Sequence, residues 1–153
     1  MEKLNNFLDK LANPLMGFAD WIVRIGLGVS FFLHGYGKLP VSDGSIAWMT
    51  SKGVPFADIT THLVAWGETT AGLGIIVGGL LMYSAQTLGN LVTRFSGAAI
   101  VIIMMGVFYY GHPDWSIFTG ERGKIILASE QWFLLLLGIY FAIKGNQKEL
   151  KNL

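Results

Sequence analysis

Residues 97–110 read GAAIVIIMMGVFYY, a run without a single charged side chain. Together with the residues before it, the run fills a segment of about 20 residues, the length that an α-helix needs to cross the hydrocarbon core of a bilayer. The whole chain has 52% hydrophobic and 14% charged residues and a mean hydropathy of +0.51. Soluble domains carry roughly 25% charged residues, so the sequence predicts an integral membrane protein.

Three other segments have the same apolar character, and the four predicted spans are residues 18–37, 61–83, 91–110 and 125–143. A short loop joins the second and third spans, whereas longer loops with a proline and several polar residues join the other pairs. We therefore expect one all-α domain over residues 1–153, a four-transmembrane-helix bundle.

The N-terminal segment predicts a short amphipathic helix that lies on the membrane surface. Leu4, Phe7, Leu8 and Leu11 follow helical spacing, with the charged side chains off that stripe. The pair at residues 13–14, Asn-Pro, should end this helix. A frayed terminus is the alternative.

The distribution of basic residues predicts the orientation. Four spans place both termini on one side, together with Lys3, Lys10, Arg94, Lys144, Lys148 and Lys151, and the opposite side has Lys38, Lys52, Arg122 and Lys124. Because cytoplasmic segments carry the excess of Lys and Arg, both termini are expected in the cytoplasm.

The composition also excludes several kinds of chemistry. The net charge of +1 argues against a nucleic-acid partner, and the absence of cysteine excludes disulfides, thiolate metal sites and thiol redox chemistry by this chain. No haem or iron–sulfur motif is present. Any redox role would therefore need a bound cofactor or a partner protein.

Ionisable residues inside the spans are the strongest functional signal, because charge in the hydrocarbon core is costly. At 100° per residue, Arg24, Gly28, Gly35 and Lys38 lie near one line of the first span. In the second span, Glu68 shares a line with two glycines, Gly72 and Gly79. Small residues let helices approach closely, so these two faces are expected to meet.

Arg24 and Glu68 form the expected ion pair. If the outer ends of the two spans lie at the same depth, Arg24 and Glu68 differ in depth by about 8 Å. A guanidinium could mostly bridge this distance. Two interpretations stay open: the pair lines a polar cavity that holds a small ligand, or it only fixes helix packing.

Three further residues are candidates at the outer side of the bundle. His34 suits proton transfer near neutral pH or a packing hydrogen bond, and Lys38 suits an anionic ligand or the interface. Glu130 begins the fourth span and either reaches the same cavity or lies at the interface. The histidines lack the i, i+4 or HExxH spacing of metal ligands, so no metal site is expected.

The segments RIGLGVSFFLHGYGKL, GETTAGLGIIVGGL and EQWFLLLLGIYFAIKG resemble the DoxX family of small bacterial membrane proteins. The most specific part is the arginine that is followed ten residues later by HGxxK. The resemblance implies an inner-membrane, oxidoreductase-associated subunit close to quinone chemistry. It also implies that Arg24, His34, Lys38 and Glu68 match the family's polar motif.

Two functions of different class follow from these residues. In the first, Glu68 and His34 are catalytic, Arg24, Lys38, Glu68 and Glu130 bind a quinone or related aromatic molecule, and the partner is a redox subunit or a second copy. In the second, the chain is a non-catalytic scaffold, assembly factor or small-molecule carrier, and the Arg24–Glu68 pair is structural.

Overall fold

The computed structural model describes residues 1–146. Its α-helices are α1 (Glu2–Ala12), α2 (Met16–Tyr36), α3 (Asp43–Ser51), α4 (Ala57–Leu81), α5 (Gln86–Gly106) and α6 (Glu130–Lys144). A π-helical turn, Val107–Gly111, extends α5. Among the described residues the only β-type pairing is one isolated bridge. The prediction of an all-α membrane bundle is confirmed.

Within residues 1–146, three helical segments are long and apolar enough to cross a membrane: Glu2–Tyr36, Ala57–Leu81 and Gln86–Gly111. The fourth predicted span, residues 125–143, contains a shorter helix than expected. The backbone at Ile126–Ala128 forms a 3-10 turn, and the Ser129 hydroxyl then caps α6 by accepting from the Trp132 N–H. The 15 residues of α6 rise about 22 Å, less than the ~30 Å hydrocarbon core.

The predicted N-terminal helix is present as α1, and its side chains are all exposed. It ends where the sequence indicates, at Asn13, but the chain continues through the 3-10 turn Asn13–Leu15 directly into α2. The turn tolerates Pro14 because a proline in the first turn of a helix removes no needed N–H group. Contact of α1 with a membrane surface stays a prediction.

Glycines set the packing order, which runs α2, α4, α5, α6. A Cβ on Gly72 of α4 would lie 2.6 Å from the Gly28 carbonyl oxygen of α2, and one on Gly97 of α5 would lie 2.8 Å from the Gly138 oxygen of α6. The expected meeting of the glycine-bearing faces of the first two spans is thus confirmed. Among residues 1–146, the largest fully buried apolar side chains are Leu27, Phe31, Ile75, Ile100 and Phe141.

We call the two ends of the bundle the loop end and the terminus end. The loop end carries Lys38, α3 and the segment 112–129, and the terminus end carries the α1–α2 junction, the α4–α5 turn and Asn146. Helix α3 lies in a segment predicted as a loop. It starts because the Ser42 hydroxyl accepts a hydrogen bond from the Ser45 N–H, a local cap that hydropathy does not reveal.

Candidate functional site

The register between α2 and α4 separates the two charges that were expected to pair. Gly28 faces Gly72, and the Arg24 side chain packs against Gly79. Gly79 follows Glu68 by eleven residues, about 16 Å along the helix. The predicted Arg24–Glu68 ion pair is therefore wrong. The prediction assumed that the outer ends of the first two spans lie at the same depth, whereas α4 begins at Ala57 and extends beyond the end of α2.

Glu68 instead pairs with Lys38. The carboxylate is 1% exposed, and its one polar partner among residues 1–146 is the Lys38 ammonium, which donates to Oε2. The Lys38 side chain is 41% exposed, and it extends from the turn after α2 to Glu68 of α4. The pair thus joins a buried carboxylate to a lysine side chain that is partly exposed.

Lys38 also lines a cavity of about 360 Å³ at the loop end, which we call the Lys38 cavity. The other lining residues come from the start of α3, from its Trp48–Met49 face and from the first turns of α4: Ser42, Gly44, Ser45, Trp48, Met49 and Thr61. The Ser42 and Ser45 hydroxyls lie 3.0 Å apart. An ammonium, two hydroxyls and an indole suit a small ring with an anionic or carbonyl oxygen.

His34 and Glu130 come together on the other side of α2, the side that faces α6. The His34 Nε2 lies 3.3 Å from the Glu130 Oε1, and the Ser30 hydroxyl donates to the same oxygen over 3.2 Å. Both side chains are largely exposed, 45% and 61%. Glu130 thus contacts His34, a pair that the sequence did not predict, and neither residue lines the Lys38 cavity.

Arg24 occupies a separate polar cluster at the terminus end, and its side chain is fully buried. Its guanidinium donates to the Ile75 carbonyl over 2.5 Å, to the Thr93 hydroxyl over 3.2 Å and to the Asn146 side-chain oxygen over 2.7 Å. The Phe141 ring lies 4.6 Å away. These contacts join α2, α4, α5 and the end of α6, so the donors of Arg24 are used in holding helices together.

The Arg24 cluster includes residues that the sequence did not single out. Asp20 lies 3.5 Å from Arg24 and accepts from the Lys144 ammonium over 2.6 Å, and its i, i+4 spacing from Arg24 was a usable signal. Asn146 had no such signal. It reaches the cluster because Gly145 adopts a φ of +59, which turns the chain inward after α6.

A second, apolar cavity of about 320 Å³ lies between α3, α4 and the end of α5. Among the residues that line it are Trp48, Met49, Val64, Ile103, Gly106 and His112. The sequence did not predict this cavity, because its walls come from three segments whose relative position hydropathy does not give.

His112 closes this region just beyond the third span. Its ring stacks on Trp115 with centroids 3.8 Å apart. Partial burial holds the pKa of His112 below its ordinary value of 6.5, and Lys52 adds to the shift while Asp114 opposes it. Within residues 1–146, no group of three or more His, Cys, Asp or Glu side chains could hold a metal ion.

The fold and its buried charges define a small multi-pass α-helical membrane protein. The DoxX family model matches residues 19–113, which cover α2 to the π-helical turn and include Arg24, His34, Lys38 and Glu68. The chain belongs to the DoxX family. Comparison with curated proteins gave no match, and comparison with solved structures gave none either.

Proposed function

We propose that this DoxX-family protein binds a quinone or a related small aromatic molecule in the Lys38 cavity and acts as an oxidoreductase-associated membrane subunit. One observation carries the proposal: the buried Glu68 carboxylate is bound by the half-exposed Lys38 ammonium, and Lys38 itself lines a cavity that Trp48 also walls. An ionisable residue inside a membrane span is a functional-site hypothesis by default, and Glu68 is such a residue with its cation at a cavity.

The chemistry follows from what quinone reduction requires. A quinone that takes up two electrons and two protons becomes a quinol, and negative charge develops on its oxygens on the way. The Lys38 ammonium would stabilise that charge, Glu68 would exchange protons with Lys38, and the Trp48 indole would contact the ring face. The two electrons would come from a cofactor of the partner subunit, since this chain has no cysteine.

The roles of the other predicted residues change within this proposal. His34 and Glu130 form their own pair outside the cavity, so proton transfer is assigned to Glu68 and Lys38. Arg24 is assigned a structural role, because its guanidinium already has hydrogen-bond partners on α4, on α5 and at Asn146.

A non-catalytic scaffold or carrier is the second candidate, and the Arg24 cluster favours it. Within residues 1–146 the buried Arg24 guanidinium contacts neighbouring helices and Asn146, and these contacts support a structural role for intramembrane charge in this chain. The Lys38–Glu68 pair would then be structural in the same way.

The proposed location is the bacterial plasma membrane, with the terminus end in the cytoplasm and the loop end outside. The support is the excess of lysines near the termini. A redox subunit or a second copy of the chain is the proposed partner.

Bound quinone tests the proposal directly. We expect organic extraction and mass spectrometry to find quinone in protein that is purified in lipid nanodiscs. Lys38→Met and Glu68→Gln should each lose about tenfold or more of it, a change of about 1.4 kcal/mol in binding. The matched controls are Lys124→Met and Glu121→Gln, which alter an exposed ion pair of the same end.

The controls should retain the quinone of the wild-type protein. Wild-type protein that neither contains quinone nor binds added quinone would overturn the proposal. Equal quinone content in all variants would favour the structural role of the Lys38–Glu68 pair.

A further inference from the structure

The apolar cavity has no role in the proposed function so far. Its walls are mainly aliphatic side chains of α4 and of the α5 end, among them Leu63, Val64, Ile103 and Val107. Its volume of about 320 Å³ falls within the range of small-molecule sites, roughly 300–1,000 Å³. Such walls offer dispersion contacts and few hydrogen bonds, so they suit a hydrocarbon group.

The apolar cavity adjoins the Lys38 cavity. Trp48 and Met49 of α3 line both of them, so these two side chains form the common wall. All residues of α3 are at least partly exposed. Within residues 1–146, a cavity lined by the Lys38 cation and a cavity lined by no lysine or arginine thus meet at the same short helix.

The apolar cavity also opens on the lateral surface of the bundle, the surface that would face lipid. Leu63 and Ile102 line it, and they are 66% and 71% exposed on helices that are long enough to cross the membrane. A molecule dissolved in the bilayer would therefore meet the opening without passing through water.

We propose that the apolar cavity binds the hydrocarbon chain of the ligand whose head occupies the Lys38 cavity. The ligand is then an amphiphile, a polar aromatic head with an alkyl or isoprenoid tail, and not a short water-soluble phenol. This inference rests on the proposed function. The shared wall favours a single ligand, because the Lys38 charge lies on one side of Trp48 and Met49 and aliphatic side chains lie on the other.

The chain offers a matched pair of variants for the test. Gly106 lines the apolar cavity, and a Cβ at this position meets no atom within 4 Å. Gly26 has equally open space but lies exposed on α2, away from both cavities. Gly106→Leu should fill the cavity, and Gly26→Leu adds the same side chain elsewhere. Val64→Phe fills the cavity from α4 and serves if Gly106→Leu does not fold.

The probes are decylubiquinone and its tailless parent, dimethoxy-methyl-benzoquinone. Binding is measured by equilibrium dialysis in nanodiscs, with empty nanodiscs as the baseline for partition into lipid. We expect the wild-type protein and Gly26→Leu to bind the decyl probe about tenfold or more tightly than the tailless one. Gly106→Leu should lose this preference and keep the affinity for the tailless probe.

The outcomes separate the two proposals. Equal wild-type affinity for both probes, or a full preference for the tail in both folded cavity-filling variants, would overturn the tail site and leave the proposed function standing. No binding of either probe to the wild-type protein would overturn the proposed function itself.

Discussion

The Lys38–Glu68 pair is asymmetric at the level of single residues, because only one partner is buried. Lys38→Met leaves a carboxylate without its cation inside the bundle, and we expect a loss of about 2–3 kcal/mol in stability. Glu68→Gln should cost less, since the Lys38 side chain is 41% exposed and can reach water. Thermal unfolding in nanodiscs measures both variants.

The double variant Lys38→Met/Glu68→Gln is the control for this interpretation. We expect it to be more stable than Lys38→Met alone, because a neutral amide is easier to bury than a charge. An additive loss in the double variant would contradict the ion pair.

His112 gives a pH prediction. Its pKa is below 6.5 in the folded protein, whereas the unfolded imidazole titrates near 6.5. Between these two values the unfolded state binds more protons, so acidification through this window lowers stability. Between about pH 7.5 and about pH 5.5, the melting temperature of His112→Gln should therefore fall less than that of the wild type. An equal fall in both proteins would contradict a lowered pKa of the His112 imidazole.

The sequence predicted which residues carry intramembrane charge, but not how they pair. Helical spacing placed Arg24, Lys38 and Glu68 on inward faces, and all three do face other helices. The partner of each charge depends on the offset between α2 and α4. That offset is seen in the contact of Gly28 with Gly72, and hydropathy does not locate such a contact.

At the level of elements, close helix contact depends on particular glycines. Gly72→Ala places a Cβ within 2.6 Å of the Gly28 oxygen, and backbone atoms cannot move aside cheaply. We expect a destabilisation of about 1–3 kcal/mol from overpacking. Gly26→Ala is the control, because its Cβ meets nothing within 4 Å and alanine favours the helix by about 0.5–1 kcal/mol. Unfolding by denaturant compares them, and equal stability of the two variants would refute tight α2–α4 packing at Gly72.

The elements were predictable where length and hydropathy decide them. The helices α2, α4 and α5 follow the apolar segments closely. The predictions for α3 and α6 were incomplete, since α3 is started by a serine cap and α6 is shortened by the 3-10 turn before Ser129. Both effects depend on local hydrogen bonds that leave little trace in average hydropathy.

For the whole molecule, the proposed orientation predicts which end thiol reagents reach. The chain has no cysteine, so single variants give unambiguous labelling. Thr119→Cys at the loop end should react with a membrane-impermeant maleimide in intact cells. Ser84→Cys in the α4–α5 turn should react only after permeabilisation. The reverse pattern would show that the termini face outward.

The two polar clusters lie at opposite ends of the bundle. Lys38 and Glu68 belong to the loop end, Arg24 belongs to the terminus end, and the buried side chains between them include Leu27, Phe31, Ile75 and Ile100. Sequence reasoning merged the clusters into one site, because it had no measure of helix offset.

This separation has a bioenergetic consequence. A proton that Glu68 or Lys38 gives to a ligand would come from the water phase at the loop end. The buried apolar side chains between the two clusters separate the pair from the water phase at the terminus end. Reduction of the ligand by an electron donor on the loop-end side would then consume protons on that side without carrying charge across the membrane. Reconstituted in sealed liposomes, the reaction should change the pH of one compartment and leave the membrane potential unaltered.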